Sequence, residues 1–345
     1  MSAPPDQSPF RFFPVTVARI TEVTPHLRRV TFTGEGLEDF ADPGWDQRIK
    51  LILPAAEGGY THLPSGPDWY GQWRALPEAQ RPPVRTYTTR AVRRGTGVGG
   101  AGTRIVEDAD TGPASTTRYG AGRPPGGGGE AEVDVDMVAH GPHGPASRWL
   151  AGANVGTPAR LLGPSRAWLA SQPPGSHPGG VDFVPPAVTE RYLIGGDETA
   201  APAIARILEE LPRWARGIVV VEVPERADAA YLPAHPGISV RVLARDGRPH
   251  GQLLVDGVAR AAAELCPAGR PQEVEEIDVD RDLLWEVPRT ARGGAALKRA
   301  SLYTWLAGEA GAVKRLRRHL VTERGLDRRS VAFMGYWRLG RAENG

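Results

Sequence analysis

The sequence predicts two domains of different class: a six-stranded antiparallel β-barrel, then an α/β domain built on a parallel sheet. Three observations predict it. The first half carries short β-branched runs joined by turns, with no clear helical crossover between them, which is the pattern of an antiparallel barrel. The second half alternates strand-like and helix-like segments, which calls for a parallel sheet with covered faces. Between the halves, residues 165–189 hold Pro173-Pro174, Gly175, Gly179-Gly180 and Pro185-Pro186, the composition of a domain boundary.

Taken in order, Val15, Val17 and Ile20 mark the first strand, and in the second Val30 and Phe32 alternate with Thr31 and Thr33, a half-buried strand pattern. Residues 49–53, 84–92 and 132–138 are the next three strands. In the last of them Val133, Val135 and Met137 alternate with Asp134 and Asp136, one face dry and one wet. Residues 160–162 supply the sixth strand, ending at Gly163-Pro164. Residues 63–83, with Trp69, Tyr70 and Trp73, leave room for a short helix. Residues 94–129 are rich in Gly, Thr and Pro, with four glycines at 126–129, and read as a long mobile hairpin excursion. Beyond the boundary come strand 192–195, helix 200–211, strands 217–223 and 238–243, strand 301–305, helix 309–324 and strand 331–336. The domains therefore run over residues 10–170 and 188–341.

Composition narrows the function. Forty-two Lys and Arg against 40 Asp and Glu leave a net charge of +2 over 345 residues, so no global field selects nucleic acid or a membrane surface. Cys266 is the single cysteine, which excludes an intramolecular disulfide and any multi-cysteine zinc or iron–sulfur site. The N-terminal residues lack a basic stretch followed by an apolar one, and no run approaches the roughly 18 apolar residues of a membrane span. A cytosolic protein is expected. With no coiled coil or long apolar edge, a monomer is the default.

Four clusters carry candidate chemistry. Arg85-Thr86-Tyr87-Thr88-Thr89-Arg90 lies on a strand whose alternation puts Arg85, Tyr87 and Thr89 on one face. It reads either as an ordinary exposed strand face or as a site for a ligand with a ring and phosphates, since Arg grips phosphate and Tyr packs on rings. His140-Gly141-Pro142-His143-Gly144-Pro145-Ala146-Ser147 follows the fifth strand. A glycine-rich strand-to-helix turn of this kind exposes N–H groups and forms an anion cradle with Ser147. Its two histidines lack a third ligand at metal-like spacing, so no metal is assigned. Gly195-Gly196-Asp197-Glu198-Thr199-Ala200-Ala201-Pro202 ends the first strand of the α/β half, at the edge where ligands of such sheets gather. Asp197 and Thr199 either cap the following helix or hold a ribose there. Finally Lys314, Arg315, Arg317 and Arg318 share a helix with an apolar stripe, as a solvated face or as a docking patch for an anion.

Together the segments RTYTTR (85–90), DVDMVAHG (134–141), GPASRW (144–149), LLGP (161–164), IGGDETAAPAIARIL (194–208), YTWLAGEAGAVKRLRRHL (303–320) and GYWRLG (335–340) resemble the siderophore-interacting protein family. Its members are flavin-dependent ferric-siderophore reductases of the ferredoxin-reductase-like superfamily. The resemblance spans nearly the whole chain. It implies an N-terminal flavin barrel and a C-terminal nicotinamide-binding domain, with FAD and NADH or NADPH as cofactors. By that resemblance Arg85 holds the flavin diphosphate, Tyr87 packs on the isoalloxazine and Thr88 meets its reactive edge. Thr86, Asp136, Val138, His140, Gly144, Pro145, Ala146 and Ser147 complete the flavin contacts. Asp197, Thr199, Ala200 and Glu309 line the flavin–nicotinamide cleft, and Tyr336 and Trp337 close it.

The implied reaction passes a hydride from nicotinamide to FAD and then single electrons to siderophore-held Fe(III), so no catalytic side chain and no resident metal are expected. Ferric siderophores are often anionic, which gives Arg90, Arg93, Arg94, Lys314 and Arg318 a steering role. A reduced electron-donor protein is a further partner in this reading. The rivals are a general flavin reductase with another acceptor and a siderophore-binding protein without turnover. Residues 94–129 and 165–189 are longer than the family pattern leads one to expect, and His143 has no assigned role.

Overall fold

The computed structural model describes residues 8–95, 130–139, 141, 144–174, 176–266, 284–290 and 293–340. Its first half is a closed barrel of β1 (Phe10–Thr24), β2 (Leu27–Thr33), β3 (Arg48–Ile52), β4 (Val84–Arg93), β5 (Glu132–Val138) and β6 (Pro158–Pro164). Every pairing is antiparallel, around the order β1-β2-β5-β4-β3-β6. The period-2 pattern explains the closure. Phe13, Val15, Val17, Val30, Phe32, Ile49, Leu51, Val133, Val135, Met137 and Leu161 all point into one buried core. Between β3 and β4, α1 (Trp69–Ala75) buries Trp73 against Ile52, Val84 and Leu162 on the barrel's outer face. Two further short helices, α2 (Pro145–Gly152) and α3 (Arg166–Ser171), flank β6. The long excursion expected over residues 94–129 lies almost wholly outside the described residues.

The second half is a six-stranded sheet of β7 (Val188–Gly196), β8 (Gly217–Val223), β9 (Ile238–Ala244), β10 (Trp285–Glu286), β11 (Arg299–Glu309) and β12 (Val331–Trp337). The order is β10-β12-β11-β7-β8-β9, parallel throughout except for the two-residue β10. One face is covered by α4 (Ala201–Glu210), whose Ala201, Ile204, Ile207 and Leu208 meet Ile194, Val219, Val221 and Trp305. The other face is covered by α5 (Gln252–Leu265) and α6 (Ala310–Arg317), packed on Leu193, Val220, Leu306 and Phe333. The α5 helix is not among the predicted elements. The helix expected over residues 309–324 is α6, which passes into a wider π-type winding at Arg318–Glu323.

The two halves meet along a polar seam. The buried Arg206 of α4 donates to the carbonyls of Thr89 (3.1 Å) and Arg90 (3.3 Å), to Asp42 (3.0 Å) and to Glu210 (2.6 Å). Beside it Arg90 grips Glu209 with two bonds of 2.9 and 2.6 Å. A second contact runs from the turn after β8. Asp228 accepts from the Thr24 hydroxyl (2.7 Å), the His26 amide (3.1 Å) and pairs with His26 Nδ1 (2.8 Å), while the Tyr231 hydroxyl donates to Asp136 at 2.6 Å. A third joins the linker to both halves. Fully buried Asp46 accepts the amides of Asp182 and Phe183 and the indole N–H of Trp305 at 3.2 Å. The described residues of this linker, 172–174 and 176–187, thus carry no strand or helix yet bury Val181, Asp182 and Phe183.

Removing one partner of a buried charge cluster costs about 3–5 kcal/mol, because the remaining charges stay buried without compensation. Arg206→Ala is therefore expected to lower the unfolding free energy read from a urea titration by that order, and to make the two halves unfold at separate midpoints. A single unshifted transition contradicts the seam's role.

Candidate functional site

On the barrel side the site is built on β4. Register pairs Tyr87 with Ile49 and Arg85 with Leu51, so both share the face of interior residues, while Thr86 and Thr88 stand outside with Lys50 and Arg48. Tyr87 lies half-buried on the barrel core. Arg85 is half-buried too and turns one nitrogen to the Val84 carbonyl at 2.8 Å. Lys50 Nζ donates to the Thr86 hydroxyl at 2.6 Å, and Thr88 is buried. The expected alternation then breaks, because a register shift between Thr89 and Ala91 swings Arg90 toward the α/β domain. Thr89 is fully buried, and its hydroxyl finds no hydrogen-bond partner among the described residues.

Next to β4, β5 runs out at Val138 and the chain re-enters at α2. Gly144, with φ of 84°, holds a backbone conformation that side-chain-bearing residues avoid. Pro145 follows in the first turn, and Gly144 at the N-cap supplies no side-chain cap, so among the described residues the helix start is open to water or to an anion. Ala146 and Ser147 are half-buried in that turn. Trp149 stacks on Phe32 with ring centroids 6.1 Å apart, and its buried indole N–H has no partner among the described residues. His140, Pro142 and His143 lie outside the described residues. The Asp136 carboxylate lies between Arg29, with bonds of 2.7 and 2.8 Å, and the Tyr231 hydroxyl, which donates to it at 2.6 Å.

On the other side Asp197 organises the carboxyl edge of the sheet. Its Oδ1 accepts the Thr199 amide (2.9 Å) and hydroxyl (2.5 Å), and its Oδ2 accepts the Glu309 amide (2.7 Å) and the Trp337 indole N–H (2.9 Å). The ends of β7, β11 and β12 are thereby tied to one carboxylate. Gly308 makes room for it, since a Cβ there would stand 2.6 Å from Oδ2, at a φ of 142°. The side chain does not cap α4, whose N-cap is the buried Ala200. Glu309 caps α6 through the Ala312 amide. Burial and neighbouring Glu198 push Asp197 up to about 7, outweighing the four donors that pull it down. Tyr336 lies between Trp285 (5.7 Å, stacked) and Trp305 (6.4 Å, edge-on). Its buried hydroxyl has no partner among the described residues.

The basic candidates do not form one patch. Arg90 is committed to Glu209. Arg93 is committed to Glu132 and Asp134, the latter at 2.5 and 2.6 Å. Arg94 is exposed. Lys314 is half-exposed and Arg318 exposed on the far domain, where Arg317 is instead buried against Glu286. Sequence reading missed a second buried network, in which Arg245 grips Glu198 at 2.6 and 2.7 Å beside Glu222. Glu222 in turn accepts the Gly251 and Leu254 amides at 2.8 Å. The signal lay in Pro-Glu-Arg after β8 and Arg-Asp-Gly-Arg after β9, polar turns at the carboxyl ends of adjacent parallel strands. Among the described residues no helix is long and apolar enough to cross a membrane.

Comparison with known proteins gives the following. Residues 189–340 match the family described as siderophore-interacting protein, and residues 16–121 and 127–168 match the siderophore-interacting FAD-binding domain. An uncharacterized protein of Mycobacterium tuberculosis is 31% identical over 338 residues, covering 97% of this chain and 92% of that one. Ferric vibriobactin reductase ViuB of Vibrio cholerae is 26% identical over 322 residues, 93% of this chain and 87% of that protein. Among solved structures, a siderophore utilization protein from T. fusca superposes with a TM-score of 0.61 at 26% identity, covering 97% of this chain and 95% of that one. The siderophore-interacting protein SipS from Aeromonas hydrophila gives 0.59 at 26% identity, covering 98% and 94%.

The Asp197 hub predicts a pH dependence. Its folded-state pKa is raised from 3.8 to about 7, so between those values the folded chain holds a proton that the unfolded chain has lost. This contribution to stability is full below the unfolded value and is lost as pH rises through about 7. Melting temperature measured across that window should fall with rising pH, and Asp197→Asn should make the slope shallower. The same slope in both proteins contradicts the assignment.

Proposed function

The chain belongs to the siderophore-interacting protein family, and from that premise we propose that it is an FAD-dependent NAD(P)H:ferric-siderophore reductase. The observation that carries the reading is the donor set on the barrel. Arg85, the uncapped start of α2 and the Ser147 hydroxyl offer positive charge and N–H and O–H donors to a diphosphate. Tyr87 offers a flat half-buried face to a ring. The buried Thr89 hydroxyl and Trp149 indole N–H, without partners among the described residues, are polar groups that a protein rarely leaves unpaired unless something else meets them. These residues fit FAD.

FAD held by Arg85, Tyr87 and Ser147 would supply the chemistry that accepts an electron pair from a reduced nicotinamide and passes single electrons to Fe(III), whose hard oxygen donors hold Fe(II) less tightly. The chain's own part is positioning. In this reading Thr88 meets the reactive edge of the ring, and Val138 and Ala146 line the flavin pocket beside it. The Asp197 clamp fixes Thr199, Ala200, Glu309 and Trp337 as the floor of the nicotinamide cleft, with Tyr336 held between two tryptophans behind it. The polar seam keeps these two surfaces at one distance. Among the described residues Arg94 and Lys314 remain available to attract an anionic siderophore, with Arg90, Arg93 and Arg318 contributing through the field of their ion pairs.

The test uses the purified protein reconstituted with FAD. A double variant, Arg85→Ala with Tyr87→Ala, should lose most bound flavin; full retention misplaces the flavin site. Trapped Fe(II) should form faster with ferric siderophores than reduced product forms with quinones or free flavin. The reverse order makes the protein a general flavin reductase, and failure to bind FAD makes it a carrier.

A further inference from the structure

A cavity of about 690 Å³ opens at the carboxyl ends of β8 and β9, lined by Glu225, Arg226, Arg245, Asp246, Arg248 and His250 among others. We propose that it receives the 2′-phosphorylated adenosine of NADPH, and that Arg226 and Arg248 select NADPH over NADH. The proposal rests on the reductase reading for its place in a reaction, though not for the binding itself.

Position is the first argument. Ligands of open parallel sheets bind outside the carboxyl ends of the strands, and β8 and β9 are parallel neighbours whose following turns form the cavity walls. The walls are built rather than loose. The Arg245 and Asp246 amides donate to the Val223 and Pro224 carbonyls at 2.9 and 3.1 Å, tying one turn to the other. Glu222 anchors the far end of the second turn through the Gly251 and Leu254 amides. Arg226 and Arg248 therefore project from two turns that are fixed to each other.

Charge is the second argument. Recognition of an unphosphorylated ribose needs a free carboxylate for its hydroxyls, whereas a 2′-phosphate needs arginine. Glu225 is spent on a capping box, its side chain accepting the Asp228 amide while the Asp228 side chain accepts its own. Arg245 is spent on Glu198. Arg226 has no ion pair among the described residues, and Arg248 has only a long 3.4 Å bond to the Arg245 carbonyl. Both are exposed. Asp246 is the acidic group left at the rim, against these two guanidinium groups.

Continuity is the third. The His250 ring meets Trp337 edge-on at 5.1 Å, and Trp337 is bonded to Asp197. A ligand lying along the sheet edge can thus place one end on the Asp197 hub and the other between Arg226 and Arg248, which is the reach of a dinucleotide.

The test is calorimetric binding of 2′,5′-ADP and 5′-ADP to the FAD-loaded protein, with no turnover. One charge-assisted phosphate contact corresponds to roughly tenfold or more in affinity, so 2′,5′-ADP should bind at least about tenfold tighter, by a margin that shrinks with added salt. Arg226→Ala with Arg248→Ala should bring the two affinities together by weakening 2′,5′-ADP alone. Equal affinities in the starting protein, no binding of either nucleotide, or a preference that survives the double variant each overturns the proposal. Iron reduction with NADH is measured alongside. In that assay NADPH is used beside NADH, and absence of iron reduction with both, with nucleotide selectivity intact, speaks against the reductase reading and leaves the phosphate site standing.

Discussion

The guanidinium of Arg206 sits where two domains must agree. It belongs to the α/β half, yet it satisfies carbonyls of the barrel strand that carries Arg85 and Tyr87. Burying a charge there is costly unless every donor is met, and Asp42, Glu210 and two carbonyls meet it. Apolar contact alone would permit sliding. Directional bonds from Arg206, Asp228, Tyr231 and Asp46 leave one orientation in which all are satisfied. A reaction that carries electrons from one domain's ligand to the other's depends on that fixed spacing.

The same logic recurs within the α/β half on a smaller scale. Asp197 draws the ends of three strands onto one carboxylate, and Glu222 pins the start of α5. Each device replaces a flexible loop edge by a saturated buried acid. The cost shows in Asp197, whose pKa burial drives up to about 7, as burial drives that of Asp46 in the seam up to about 6. The carboxyl edge is thus tied together by directional bonds, which suits a surface that positions a ligand.

The fold class was legible because both periodicities are clean. Alternation in Val133, Val135 and Met137 marks a barrel strand without help from its partners, and Gly217–Val223 reads as a buried strand from composition alone. The α5 helix was not, because Gly257 interrupts it and half of its stripe of Leu254, Val258, Ala261 and Ala262 is alanine. In the candidate site, Asp197, Thr199, Glu309 and Trp337 were grouped from separate motifs, and the fold brings them within hydrogen-bond reach. Arg90 and Arg93 looked like a free basic patch because their acidic partners are remote in sequence. Glu209 lies 119 residues from Arg90, and Asp134 lies 41 from Arg93. No local pattern reveals such pairing. The seam was illegible for the same reason, since each half of it reads as an ordinary polar surface.

The central claim is that nicotinamide reduces a flavin on the barrel and that a ferric siderophore reoxidises it. The direct measurement is the anaerobic absorbance spectrum of the FAD-loaded protein, with NADPH added first and a ferric siderophore second. The account predicts flavin bands that bleach on the first addition and return on the second, with about two Fe(II) trapped per flavin, as a two-electron carrier feeding a one-electron acceptor requires. Bands that bleach and stay bleached in the presence of every ferric siderophore tried would contradict it.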